Sequence, residues 1–218
     1  MNRISINKVH FPVSTLGYGK RVGIWMQGCS IQCPGCISRD TWGFRDDTSI
    51  AIEPFIAGIA HWLSRADGVT ISGGEPFDQP EALSALVGAL RRHTPGDLLV
   101  YSGYAREKLE QSYATILEAI DVLVSEPYRP AAGATLTLRG SDNQRILLLS
   151  ALARQRYPAD IDARPWEEPR RIDVMTEGDR VWMAGIPRAG DLAKLKQKLA
   201  QAGLACHSSD EPNLLVRA

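Results

Sequence analysis

Three of the chain's four cysteines fall within eight positions, in the segment Gly28-Cys29-Ser30-Ile31-Gln32-Cys33-Pro34-Gly35-Cys36. That spacing puts three thiolates on one tight loop, which suits shared metal ligation and not a disulfide framework. Thiolates suit iron-sulfur clusters, which normally take four cysteines, so a local set of three leaves one iron open to another ligand. A closed structural zinc site needs a fourth ligand, and the only further cysteine is Cys206, beside His207 and far along the chain. Spacing alone leaves iron-sulfur and zinc both open.

With 218 residues, 44% of them apolar, the chain can bury a substantial core, and one main domain with a small appendage is expected. Its 25 basic and 25 acidic side chains cancel, which argues against nucleic-acid or anionic-membrane partners bound by net charge. The start, Met1-Asn2-Arg3, lacks the apolar run of a signal sequence, and no stretch reaches the roughly 20 apolar residues of a membrane span. A soluble, cytoplasmic protein is expected, in a compartment that keeps thiols reduced.

Arg21 to Met26 is short and largely apolar and runs directly into the cysteine segment, as a buried strand feeding a loop does. A helix is expected over Ser49 to Ala66, where Ile52, Phe55, Ile56, Ile59 and Leu63 recur at helical spacing. Val69 to Ser72 follows as a strand, then a helix with Asp78 and Glu81 spaced as a capping box and Leu83, Leu86, Val87 and Leu90 as its stripe. Leu98 to Tyr101, a helical face of Leu109, Tyr113, Ile116 and Ile120, and strands at Val122 to Val124 and Ile146 to Leu149 continue the alternation. This predicts an α/β fold on a parallel sheet, curved or closed, with its chemistry at the carboxyl ends of the strands.

The division reads as a core domain over residues 1–154, a linker over 155–170 marked by Pro158, Pro165 and Pro169, and a small module over 171–218. In that module Ile172 and Val174 alternate with polar neighbours, Glu177-Gly178-Asp179 is a turn, and Val181 to Ala184 returns as a strand. Asp191 opens a final helix in which Leu192, Leu195 and Leu199 share a face and Gly203 is the stop.

Strand Val69 to Ser72 leads into Gly73-Gly74-Glu75-Pro76. Two glycines let a ligand approach the backbone, and exposed main-chain groups with a carboxylate can hold an ammonium group. A Gly-Gly turn by itself is usually only a turn. Paired in order with the cysteine loop, it resembles the radical S-adenosylmethionine (SAM) superfamily, and within it the activating proteins of anaerobic ribonucleotide reductase. The resemblance runs from Leu16-Gly17-Tyr18-Gly19-Lys20-Arg21 through Gln27-Gly28-Cys29, Cys33-Pro34-Gly35-Cys36, Asp40-Thr41-Trp42 and Ile71-Ser72-Gly73-Gly74-Glu75-Pro76. It continues through Tyr101-Ser102-Gly103-Tyr104 and Asp121-Val122-Leu123-Val124 to Arg139-Gly140-Ser141-Asp142-Asn143-Gln144.

The resemblance implies a partial (β/α) barrel, an oxygen-sensitive 4Fe-4S cluster on Cys29, Cys33 and Cys36, and SAM on the open iron. It implies Gly73, Gly74 and Glu75 at the methionyl amino group, Gly35 near the adenine, and an electron donor such as flavodoxin or ferredoxin. The implied oxidoreductase chemistry is reductive cleavage of SAM to a 5'-deoxyadenosyl radical that installs a glycyl radical on a partner enzyme. Ser102 is a candidate SAM contact or a strand-end turn hydroxyl. Gly140, Ser141, Asn143 and Gln144 are a candidate substrate mouth or an ordinary hydrogen-bonded turn. Trp42 reads as an anchor for the cysteine loop.

Two features depart from the family pattern. Where these activating proteins usually read Val-Asp-Gly, this chain has Val124-Ser125-Glu126-Pro127, which leaves Glu126 to replace the aspartate or the contact to be lost; everything from Gln155 onward is additional. A radical SAM enzyme acting on a peptide or small molecule is the nearest alternative. An iron-sulfur electron carrier or a zinc-stabilised binding module is the alternative of another class.

Overall fold

The structure, a computed structural model, describes residues 2–167, 169–178, 180–204 and 208. A seven-stranded mixed sheet forms its centre, in the order β3-β1-β2-β4-β5-β6-β7. Four strands, β2 (Arg21–Met26), β4 (Gly68–Gly73), β5 (Asp97–Tyr101) and β6 (Val122–Ser125), pair in parallel. All four of the strands expected from the sequence begin and end within one residue of these limits.

Both edges correct the expectation of a uniformly parallel sheet. At one edge β1 (Arg3–Val13), which periodicity had not distinguished, runs antiparallel to β2, and β3 (Ser49–Ala51) pairs with residues Arg3 to Ser5. At the other, β7 (Arg145–Leu148) runs antiparallel to β6. The connection between β6 and β7 contains only one short 3-10 turn, so no crossover helix carries the chain back to the starting end.

Helix α1 (Ile52–Leu63) therefore starts three residues later than its apolar spacing predicts, because Ser49 to Ala51 are drawn into the sheet. Its buried stripe is Ile52, Ile56, Ile59 and Leu63. In α2 (Pro80–His93) the stripe Leu83, Leu86, Val87 and Leu90 is buried as expected. The capping box is not formed: Gln79 is the N-cap, no side chain caps the helix, and Asp78 bonds elsewhere. The third helical face is divided between α3 (Arg106–Ser112) and α4 (Ala114–Ala119) at Tyr113, whose ring packs on Phe77 at 5.2 Å.

The strands are buried on both faces, which explains their nearly continuous apolar sequences. Leu98, Val100 and Leu123 join the large core beneath α1, α2 and α4, while Leu99, Val122 and Val124 face a second cluster with Ile146, Tyr157 and Ile161. Residues 155–170, expected as a linker, thus bring Tyr157 and Ile161 onto the sheet behind α5 (Ala151–Arg156). Trp166 N–H also donates to the Thr135 carbonyl at 2.9 Å.

At the amino ends of the parallel strands, Arg21 and Asp97 form a fully buried pair. Arg21 Nη2 donates to Asp97 Oδ2 at 2.8 Å and to the Val69 carbonyl at 2.7 Å, and Tyr157 O–H donates to Asp97 Oδ2 at 2.9 Å. One guanidinium thus joins β2, β4 and β5 at the end opposite the cysteine loop.

The additional module contains a hairpin of β8 (Ile172–Glu177) and β9 (Arg180–Gly185), followed by α6 (Asp191–Gln201). Asp173 fastens the hairpin to the core by accepting from Ser14 N–H at 2.6 Å and Ser14 O–H at 2.7 Å. Thr15 O–H donates to the Ala184 carbonyl at 2.9 Å. Cys206 and His207 lie outside the described residues. Among the described residues, no helix is long and apolar enough to cross a membrane.

Candidate functional site

The cysteine loop leaves β2 at Met26 and is held from both sides. Gly28 N–H donates to the Thr41 carbonyl at 2.8 Å and Cys29 N–H to the Trp42 carbonyl at 3.0 Å. Buried Gln27 reaches across with its amide, donating to the Gly43 carbonyl at 2.6 Å. Within the loop, Cys36 N–H donates to the Cys33 carbonyl at 3.1 Å, closing a turn over Pro34-Gly35, and Gly35 has φ +78°.

Cys29 is buried, and Cys33 and Cys36 are half-buried. Burial pushes all three thiols above the usual range, opposed by backbone N–H groups near each sulfur. The Ser38 N–H is 3.4 Å from Cys36 Sγ, and the Trp42 side chain also lowers that thiol's pKa. Metal binding at such thiols must displace protons, and the N–H groups then favour the thiolates. Among the described residues no set of three His, Cys, Asp or Glu side chains converges as a ligand set for a metal ion. The donor chemistry, three thiols on one loop braced at its ends, suits an iron-sulfur cluster.

The glycine-rich segment lies directly against this loop. Gly74 N–H donates to the Met26 carbonyl and Glu75 N–H to the Gly28 carbonyl, both at 2.9 Å. Gly73 has φ +100°, and a Cβ there would lie 2.5 Å from Met26 N; one at Gly74 would overlap the Gly28 carbonyl. The backbones come so close that neither position has room for a side chain.

Glu75 is buried and its carboxylate is surrounded by donors. Oε1 accepts from Phe77 N–H at 3.0 Å and from Ser102 O–H at 2.8 Å, while Oε2 accepts from Gly103 N–H at 2.7 Å. Burial outweighs these bonds and pushes its pKa to about 7. The structure thus brings Gly73, Gly74, Glu75 and Ser102 together with the cysteine loop at the carboxyl ends of β2, β4 and β5.

Asp78, whose spacing to Glu81 predicts a helix cap, belongs to this site instead. Its Oδ2 accepts from Ser30 N–H at 2.6 Å, and Oδ1 from Ser30 O–H at 2.9 Å and Tyr104 O–H at 2.5 Å. Tyr104 stands in the Tyr101-Ser102-Gly103-Tyr104 segment, and Ile31 of the cysteine loop packs over Gly103. No periodicity marks these long-range pairs; the polar Ser30 beside Cys29 was the available signal.

The predicted mouth residues brace the segment after β6. Gln144 Oε1 accepts from Gly140 N–H at 2.9 Å and Ser141 N–H at 3.2 Å, and its amide donates to the Glu126 carbonyl at 3.1 Å. Ser141 Oγ accepts from Arg129 N–H at 3.0 Å, and the Asn143 amide donates to the Pro127 carbonyl at 2.9 Å. Asn143 Oδ1 is buried without a hydrogen-bond partner. Between these anchors Tyr128 packs against both Gly35 and Gly140, so the segment reaches the cysteine loop. Glu126 has φ +82° and its Oε1 accepts from Arg106 N–H at 2.8 Å, at the first residue of α3.

The profile of the family described as a 4Fe-4S single cluster domain matches residues 15–147. Among curated proteins, the anaerobic ribonucleoside-triphosphate reductase-activating protein of Enterobacteria phage T4 is 31% identical over 60% of this chain and 85% of its own length. Proteins of the same name from Salmonella typhimurium and Vibrio cholerae are 30% and 32% identical, each over 63% of this chain and 94% of their own. Among solved structures, QueE from Escherichia coli aligns with a TM-score of 0.41 at 21% identity, over 46% of this chain and 53% of that one. The family match ends before α5 and the hairpin.

Proposed function

The chain belongs to the 4Fe-4S single cluster domain family and to the relatives named as anaerobic ribonucleoside-triphosphate reductase-activating proteins, and from this we propose a radical SAM activase acting on a glycyl radical enzyme. One observation carries the reading: the thiol loop, the Gly73-Gly74-Glu75 backbone and Ser102 converge at three neighbouring strand ends.

When bound, the cluster and SAM supply one-electron reductive cleavage to methionine and a 5'-deoxyadenosyl radical able to abstract hydrogen from a glycine Cα. The chain's residues hold and orient that chemistry. Cys29, Cys33 and Cys36 are the cluster ligands in this reading, and Gly73, Gly74 and Glu75 receive the methionyl amino group. Gly35 lies by the adenine. Ser102 fixes the Glu75 carboxylate by donating to it at 2.8 Å. Gly140, Ser141, Asn143 and Gln144 form the substrate mouth in this reading, acting through the Glu126 to Arg129 segment that the Ser141, Asn143 and Gln144 side chains brace.

In this reading the aspartate's contact is lost, since Glu126 turns Oε1 to the Arg106 N–H at the start of α3. In this reading the 1–154 core is a partial barrel and the electron donor is a flavodoxin or ferredoxin in the cytoplasm. The segment beyond residue 147, which the family match does not reach, favours one second reading: the same chemistry on a peptide or small molecule.

Anaerobic reconstitution with iron and sulfide, reduction and addition of SAM test the proposal. It expects 5'-deoxyadenosine, lost on replacing any of Cys29, Cys33 and Cys36 with alanine and retained in Cys206→Ala. A reducible four-iron cluster that forms no 5'-deoxyadenosine overturns it. A glycyl doublet in the electron paramagnetic resonance spectrum of a co-incubated reductase distinguishes the activase from the second reading.

A further inference from the structure

The additional hairpin creates a cavity that the family-matched part of the chain does not form alone. It measures about 560 Å³ and lies between β1, β2 and α1 on one side and β8 and β9 on the other. That volume is within the range of small-molecule sites.

Trp25 and Trp62 from the core and Trp182 from the hairpin give the cavity three indole walls. Its polar lining is Asn7, Lys8, His10 and Thr176, of which Asn7 gives an amide N–H to Gln27 Oε1 at 2.7 Å, and no carboxylate lines it among the described residues. Lys8 Nζ stands 4.8 Å from the Trp182 ring and 5.8 Å from that of Trp25. One of its three donors meets Asp40 Oδ2 at 3.2 Å, which leaves two for a ligand. Burial lowers the pKa of His10, so Lys8 is the principal positive charge on the wall. The nearby acid Asp173 is engaged by Ser14 and Thr15.

We propose that this cavity binds a small planar anion, of the chemical class of aromatic carboxylates, with its ring against the indoles and its charge on Lys8. Flat apolar walls favour a ring, and an ammonium on a wall that no described carboxylate lines favours an anion over a cation. The cavity's lining shares no residue with the thiol loop, Gly73 to Glu75 or Ser102. It also touches the cysteine loop's continuation, because Lys8 holds Asp40, four residues beyond Cys36.

The test uses the full chain and three probes with one ring and different charges: indole-3-acetate, indole-3-acetamide and tryptamine. Isothermal titration calorimetry on the purified protein needs neither cluster nor turnover. Saturable binding of the acetate, about tenfold tighter than the amide and tighter still than the amine, is expected. Lys8→Gln should weaken the acetate about tenfold and leave the amide unchanged, with circular dichroism verifying its fold. Equal affinity for all three, or no saturable binding of the acetate to the wild-type protein, overturns the proposal.

Discussion

The Asp78 carboxylate holds the residue next to the first cysteine: Oδ2 accepts from Ser30 N–H at 2.6 Å, and Oδ1 accepts from Ser30 O–H at 2.9 Å. The same carboxylate takes Tyr104 O–H at 2.5 Å, so the ends of β4 and β5 together position the loop leaving β2. Removing this acceptor should free the Cys29 side of the loop without opening the core. Asp78→Ala is expected to cost about 1–3 kcal/mol and to speed iron loss to a chelator severalfold. Wild-type release rates, followed by cluster absorbance, would contradict a clamping role.

The backbone contact between Gly74 and Gly28 makes a sharper prediction. A methyl group at residue 74 has no space beside the Gly28 carbonyl, so the two loops must separate. Gly74→Ala should lower stability by about 1–3 kcal/mol through overpacking and reduce iron uptake on reconstitution. Gly88→Ala is the control, because a Cβ there meets nothing within 4 Å and the helix gains propensity. Equal iron uptake by both variants would refute the tight-approach argument.

Glu75 predicts a pH dependence. Its folded-state pKa of about 7 lies above the ordinary 4.5, so between those values the folded state binds more protons than the unfolded state. Its contribution to stability is therefore fully present below the unfolded pKa and falls as pH rises through about 7. The total change is on the order of 3 kcal/mol. Urea unfolding at pH 5 and pH 8 should show this decline in the wild type and a smaller one in Glu75→Gln. Identical declines would remove Glu75 as their source.

The buried Arg21–Asp97 pair should matter for folding. Asp97→Ala leaves a guanidinium buried at the junction of β2, β4 and β5 and should cost about 3–5 kcal/mol. Arg21→Met with Asp97→Leu should recover much of that loss, since a well-packed apolar pair can replace a buried ion pair. Thermal melts of the single and double variants decide; a double variant no better than the single one would point to the lost Tyr157 and Val69 bonds instead.

Much of this organisation was legible where neighbouring residues determine the outcome. The buried stripe of α2 and the apolar runs of β2, β4, β5 and β6 follow from local periodicity. Cysteine spacing and two glycines marked the candidate site because they describe one loop and one strand end. β1 shows no clean alternation in the sequence because bulges near Ile6/Lys8 and His10/Val13 interrupt it. The capping box at Asp78 failed because Ser30 and Tyr104, 48 and 26 residues away, compete for the carboxylate.

By itself, then, the amino-acid order determined which segments carry thiols, which strands are buried on both faces, and where glycine alone fits. Tertiary structure decided that Glu75 lies among three donors, that Glu126 turns to α3, and that the added hairpin encloses a cavity with Lys8 on its wall. The difference is one of range. Backbone periodicity and steric demand act over a few residues, whereas a buried carboxylate, an indole face or an ammonium group takes its partners from strands distant in sequence.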